Sequence, residues 1–195
     1  MRKSVKKLTY MAILTAAAVI IFIIEAQIPL PIPIPGVKLG LANAITLFSL
    51  FYTRQGDART ENRTSDLTNR PPDTPEKPKA PGLTTADAFG ILLCRIVLGA
   101  VFTGRLVAFA YSLTGGLLGF AAQAIAKKFV SHGQIWVCGA IGAVFHNIGQ
   151  ILAAMLITGT PSIAAYLPIL IIAGILTGAT TGLAAQITLI RIGRM

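Results

Sequence analysis

The chain has 195 residues, of which 54% are hydrophobic and only 12% charged, and its mean hydropathy is +0.72. A soluble domain carries roughly a quarter charged residues, so this composition excludes an ordinary soluble protein and predicts a single integral membrane domain. The net charge of +10 is unevenly spread, because segment 55–83 holds five basic and five acidic residues and the remainder holds 12 basic and 2 acidic ones. The excess of basic residues therefore lies in the apolar part of the chain, where positively charged loops orient a protein in the membrane. No nucleic-acid partner is expected.

Six apolar segments predict an all-α integral membrane protein, a bundle of six transmembrane helices. Their approximate bounds are 8–26, 39–52, 86–103, 106–126, 135–158 and 163–190. Between Gln27 and Gly36, proline recurs at every second position, which forbids a helix and favours an extended strip against the membrane mouth. This strip is either a stiff surface loop or a lid. Segment 55–83 is polar and lacks periodicity, and we interpret it as a disordered cytoplasmic insert.

Basic residues concentrate on one side of these six spans. That side holds Arg2, Lys3, Lys6, Lys7, Arg54, Lys127, Lys128, Arg191 and Arg194. The opposite side holds Lys38, Arg105 and the uncharged turn 159–162. Because cytoplasmic loops are enriched in Lys and Arg, the pattern predicts that both termini are cytoplasmic.

Polar side chains within the spans are the candidate site, since such groups are costly in a bilayer unless they face partners, water or a ligand. On the fifth span His146 and Gln150 share a helix face, and Asn147 flanks it. The predicted substrate-binding residues are Glu25, Asn43, Arg95, His146, Asn147 and Gln150.

Arg95 is the most informative of these residues, because a buried guanidinium costs several kcal/mol unless it is paired. One interpretation is a fixed Arg95–Glu25 pair that holds the bundle together, and the other is a carboxylate or phosphate ligand on the planar guanidinium. A solvated helix end for Glu25 and an interhelical hydrogen bond for His146 are the corresponding structural alternatives.

Motifs of catalysis are missing from the sequence. There is no phosphate-binding Gly-rich loop with a lysine, and no Ser or Cys with a base at diagnostic spacing. Acidic residues are scattered, with no Asp-rich pair of motifs that could hold magnesium on a diphosphate. Cys94 and Cys138 both fall in apolar spans and are interpreted as core residues. We therefore expect no catalytic residues, no metal and no cofactor, and no enzymatic activity of the chain alone.

Small residues at four-residue spacing predict close helix packing. They are Ala12 and Ala16 in the first span, Gly115 and Gly119 in the fourth, and Gly174, Gly178 and Gly182 in the sixth. Most of these faces are expected to pack within the bundle. Ala12 and Ala16 are instead candidates for docking an external partner, because they lie near the cytoplasmic end of their span.

Four stretches together resemble a known family: Val37–Asn43, the span around Arg95, Ser112–Gly116 and Gly142–Gln150. The family is heptaprenyl diphosphate synthase component I, also called the Gx transporter family, and the resemblance omits segment 55–83. It is similar to the substrate-binding S-components of energy-coupling factor transporters, which are six-helix membrane proteins. The similarity to S-components implies that Ala12 and Ala16 dock on a transmembrane coupling subunit. It also implies that the ligand binds beneath the first loop, near Glu25, Asn43 and His146.

Two functions follow as expectations, both placing the chain in a bacterial cell membrane as a multi-pass protein. In the first, it is the substrate-binding component of an energy-coupled uptake transporter for a small isoprenoid-related, quinone-related or vitamin-like molecule, with a coupling subunit and ATPase subunits as partners. In the second, it is the non-catalytic membrane subunit of heptaprenyl diphosphate synthase, with a soluble prenyl synthase as partner. A scaffold for electron-transfer or quinone enzymes is a third possibility.

Overall fold

The computed structural model describes residues 2–28, 38, 40–61 and 83–192, with the side chains of 2–4, 53–61 and 132 excepted. Most of the proline-rich strip and residues 62–82 of the polar segment lie outside this range. Within it the chain forms six α-helices. Their bounds are α1 Arg2–Glu25, α2 Asn43–Glu61, α3 Thr85–Thr103, α4 Leu106–Ala126, α5 Ile135–Thr158 and α6 Leu167–Arg191.

Length and hydropathy make five stretches of the described residues suitable for crossing a membrane. They are Val5–Glu25, Thr85–Thr103, Leu106–Ala126, Ile135–Thr158 and Pro161–Arg191. The remaining helix, α2, has a shorter apolar part, Asn43–Tyr52. The prediction of an all-α membrane bundle is therefore confirmed. Two boundaries differ in detail: α2 continues into the polar segment as far as Glu61, and a 3-10 turn, Pro161–Tyr166, precedes α6.

The beginning and end of α3 are set by local chemistry. The Thr84 side chain and Asp87 form a capping box, which satisfies backbone N–H groups that a helix start leaves without partners. Asp87 also binds Lys7 of α1, with 2.7 Å between Nζ and Oδ2. At the other end Gly104 adopts the left-handed conformation, with a φ of 63°, and stops the helix. The second half of the bundle begins directly after it.

Glycines bring α5 into close contact with both of its neighbours. A Cβ atom on Gly149 would lie 2.8 Å from the Cα atom of Gly115 in α4, and one on Gly119 would lie 2.8 Å from the carbonyl oxygen of Gly142. On the other side, Gly178 of α6 packs against the Gly139 carbonyl oxygen. Helices that approach this closely hold the polar residues of α5 at fixed positions between α4 and α6.

Candidate functional site

A narrow cleft lies between α1, α2, α3, α4 and α5, in the half of the bundle where α1 ends and α2 begins. The polar residues of its lining are Glu25, Lys38, Asn43, Arg95, Ser112, His146 and Gln150. The cleft is narrow: its cavity volume of about 10 Å³ holds about one water molecule, so a larger ligand requires the cleft to widen.

Glu25, the last residue of α1, forms one side of the cleft. It is 4% exposed, and its Oε1 accepts a hydrogen bond from the backbone N–H of Gly40. The backbone N–H of Leu41 lies near the same carboxylate. Gly40 has a φ of 81°, in the left-handed region that favours glycine. The carboxylate therefore anchors the turn before α2 to the end of α1.

Lys38 is buried in this turn and has no acceptor for its charged group. It is 7% exposed, and its Nζ has no hydrogen-bond partner among the described residues. The ammonium lies 3.1 Å from the ring centroid of Phe22, a cation–π contact, for which Gly99 leaves the ring space. Burial lowers the pKa of Lys38 to about 8, Glu25 opposes this effect, and Arg95 and Arg105 add to it.

Arg95 projects from α3 and is the most deeply buried cation of the cleft, with 2% of its surface exposed. Its Nε has no hydrogen-bond partner in the described part of the chain. The ion pair that the described residues form is Lys7–Asp87, so Glu25 is not directly paired with Arg95 or with Lys38. The interpretation of a fixed Arg95–Glu25 ion pair is therefore wrong for this structure. Two buried cations therefore share one nearby carboxylate, that of Glu25, and neither forms a direct ion pair with it among the described residues.

Gln150 and His146 link the turn to α5. The backbone N–H of Lys38 donates to Oε1 of Gln150 at 3.2 Å, which directs the amide nitrogen of Gln150 toward Nε2 of His146 at 2.8 Å. Because an amide nitrogen only donates, Nε2 of His146 accepts, and the imidazole in this arrangement is neutral. Nδ1 of His146 is buried without a hydrogen-bond partner among the described residues.

The structure brings five of the six predicted site residues to the cleft and places the sixth elsewhere. Asn147 points toward α6, where its Nδ2 donates to the carbonyl oxygen of Leu170 at 2.6 Å. It joins two helices and does not line the cleft. Sequence reasoning did not include Lys38 and Ser112 among the site residues, although both are buried and line the cleft. Lys38 follows the proline-rich strip, and nothing in the sequence indicates that its side chain turns inward.

A model of the heptaprenyl diphosphate synthase component I family matches residues 14–60 and 82–188. These ranges cover most of the chain. The chain belongs to this family. Searches of the curated proteins and of the solved structures found no match.

The family match includes part or all of each of the six helices and every polar residue of the cleft named above, and it begins at residue 14, within α1. It is interrupted between residues 60 and 82, within the polar segment. No group of three or more His, Cys, Asp or Glu residues that could hold a metal ion occurs among the described residues of this family member. What the cleft offers chemically is two buried positive charges beside one carboxylate.

Ala12 and Ala16, the predicted docking residues, are both exposed on α1. Neighbouring residues Ile13 and Ile20 are also exposed, at 62% and 57%. This face of the family member is therefore not covered by the described residues of its own chain.

Proposed function

We propose that this chain is the non-catalytic membrane component of a heptaprenyl diphosphate synthase, and that its cleft holds the anionic headgroup of a small or amphipathic molecule. A soluble prenyl synthase subunit is its partner. The family match supports the assignment to such a synthase.

One observation carries the anion-binding role. Lys38 and Arg95 are both buried, neither forms an ion pair, and Nζ and Nε lack hydrogen-bond partners within the described residues. A buried cation without a direct ion pair is costly inside a bilayer, and Glu25 can offset only one of the two charges, so a ligand supplies the missing negative charge. Arg95 presents the planar group that binds carboxylate and phosphate oxygens in pairs.

The distribution of acidic residues supports a non-catalytic role. Outside segment 55–83 the chain has only Glu25 and Asp87. Glu25 holds the turn before α2. Asp87 binds Lys7 and Thr84 at the start of α3, away from the cleft. Neither arrangement pairs two carboxylates around a magnesium ion, so the diphosphate chemistry falls to the soluble partner.

Isolation of the tagged chain from membranes in mild detergent, with partners identified by mass spectrometry, tests this function. We expect a soluble prenyl synthase subunit to co-purify, and the chain alone to lack prenyl synthase activity. Synthase activity of the purified chain by itself would contradict the non-catalytic assignment.

The exposed alanines favour a second candidate, capture of a molecule for an energy-coupled uptake transporter. In this function Ala12 and Ala16 provide a flat face against a transmembrane coupling subunit. The same isolation would then recover a coupling subunit and ATPase subunits in place of the synthase. Ala12→Leu with Ala16→Leu would abolish that recovery, whereas Ala121→Leu, at an exposed alanine of α4, would not.

A further inference from the structure

The charges of the cleft allow the ligand to be defined more closely. Two cations, Lys38 and Arg95, face one carboxylate, Glu25, and all three residues are less than 8% exposed. His146 adds no charge, since its Nε2 accepts from Gln150. The cleft therefore carries a net charge of about +1 when Glu25 is ionised, by the ordinary charges of these groups.

Polar neighbours offset part of the cost of burying an ionised Glu25. The backbone N–H of Gly40 donates to its carboxylate, and the N–H of Leu41 and two cations lie nearby. Each of these contacts stabilises the charged form, against the desolvation that burial imposes. The carboxylate of Glu25 is hydrogen-bonded to the turn before α2. Its negative charge nevertheless offsets one of the two buried positive charges.

A ligand with a single negative charge balances this cleft. A second or third negative charge would remain uncompensated in a site surrounded by apolar helices, where it is strongly disfavoured. The small volume of the cleft also favours a small headgroup, because the cleft holds about one water molecule before it widens. A planar carboxylate fits the guanidinium of Arg95 and requires less widening than a diphosphate group.

We propose that the cleft selects a monoanionic headgroup of the carboxylate type over phosphate monoesters and diphosphates, and that Glu25 sets this limit. The inference rests on the proposed function in so far as the cleft must bind an anion. It goes further, because it identifies a ligand distinct from the diphosphate in the family name.

The test uses the full chain in nanodiscs of phosphatidylcholine, which carries no net charge, at pH 7 and with a chelator to remove divalent cations. Hexanoate, hexyl phosphate and hexyl diphosphate share one tail and differ in headgroup charge, and their affinities are measured by calorimetry. We expect hexanoate to bind at least about tenfold more tightly than hexyl diphosphate, since like charges in a buried site are costly.

Glu25→Gln is the decisive variant, because glutamine keeps an oxygen acceptor for Gly40 while removing the charge. We expect it to shift the preference toward hexyl phosphate and hexyl diphosphate by at least about tenfold. Asp87→Asn is the matched control: it removes an acidic charge near the start of α3, away from the cleft, and should leave the order of affinities unchanged.

Tightest binding of hexyl diphosphate to the unsubstituted protein, or an unchanged order in Glu25→Gln, would overturn the inference while leaving an anion site in place. Failure of all three probes to bind would refute the anion site, the part of the proposed function on which this inference rests, and would leave the assignment to a synthase to the co-purification experiment. Acetate distinguishes the source of the carboxylate. If acetate binds as tightly as hexanoate, the ligand is a free small carboxylate. If acetate binds more weakly, the ligand is a carboxylate with an apolar tail.

Discussion

Lys38 gives the cleft a dependence on pH at the scale of a single residue. Burial lowers its pKa to about 8 from an ordinary 10.5. We expect hexanoate affinity to be highest below pH 8 and to fall as pH rises through about 8 to 9, because the ammonium loses its charge. Calorimetry across this range measures the effect, and Lys38→Met should bind weakly with no such step. A step of the same size in Lys38→Met would assign it to another group.

The lowered pKa of Lys38 affects the stability of the ligand-free protein in the opposite direction: stability rises with pH where affinity falls. Between about pH 8 and 10.5 the lysine of the unfolded chain holds its proton and the folded one does not. The unfolded state then binds more protons, so the Lys38 contribution to stability rises with pH across this window. The difference in Tm between the unsubstituted protein and Lys38→Met, measured at both ends of the window without ligand, reports this contribution. A difference that changes in the other direction would contradict the burial of the charged group.

Gly40 holds the turn over His146, and its substitution separates backbone strain from side-chain crowding. A Cβ atom there would lie 2.9 Å from Nδ2 of Asn43 and 3.0 Å from Cδ2 of His146, at a φ of +81°. Gly104 has a φ of +63° with nothing within 4 Å. Both alanine variants should lose about 1–2 kcal/mol from the left-handed backbone. Gly40→Ala should also lower hexanoate affinity, and equal effects on affinity in both would contradict the role assigned to the turn.

At the scale of elements, α5 owes its fixed position to glycines against α4 and α6. Gly149→Ala would place a Cβ atom 2.8 Å from the backbone of Thr114 and Gly115, which cannot move aside as a flexible side chain can. We expect a loss of about 1–3 kcal/mol from overpacking. Gly90→Ala is the control, since its Cβ atom would lie 3.6 Å from Cε of Met11. It should be neutral or stabilise α3 by up to about 1 kcal/mol, and Tm measured in detergent compares the two.

Helices and their approximate order could be predicted from the sequence, whereas the direction of individual side chains could not. The apolar runs and the stop at Gly104 are local properties of the chain. Asn147 and Gln150 have the same polar character, and only tertiary packing sends one to the Leu170 carbonyl and the other to the cleft. Lys38 was missed for the same reason, because the turn that buries it depends on Glu25 and Gln150, which are distant in sequence.

At the scale of the whole molecule, the distribution of basic residues predicts that both termini are cytoplasmic. A variant without Cys94 and Cys138 allows single cysteines to be placed at Thr160 and at Lys128, two exposed residues in connections at opposite ends of the bundle. We expect a membrane-impermeant maleimide to label Thr160→Cys in intact cells and Lys128→Cys only after permeabilisation. The reverse pattern would invert the protein and place the cleft at the cytoplasmic face.

Binding of hexanoate to Arg95→Met tests the central claim most directly, because Arg95 is the most deeply buried cation of the cleft and forms no ion pair among the described residues. Methionine retains length without charge, so we expect affinity to fall by at least about tenfold while Tm stays equal or rises, as when buried charges are replaced by apolar groups. Arg191→Met, at an exposed cation in the last turn of α6, should change neither quantity. Unchanged affinity in Arg95→Met, or a fall in Tm without loss of affinity, would show that Arg95 is a structural residue and contradict an anion-binding cleft.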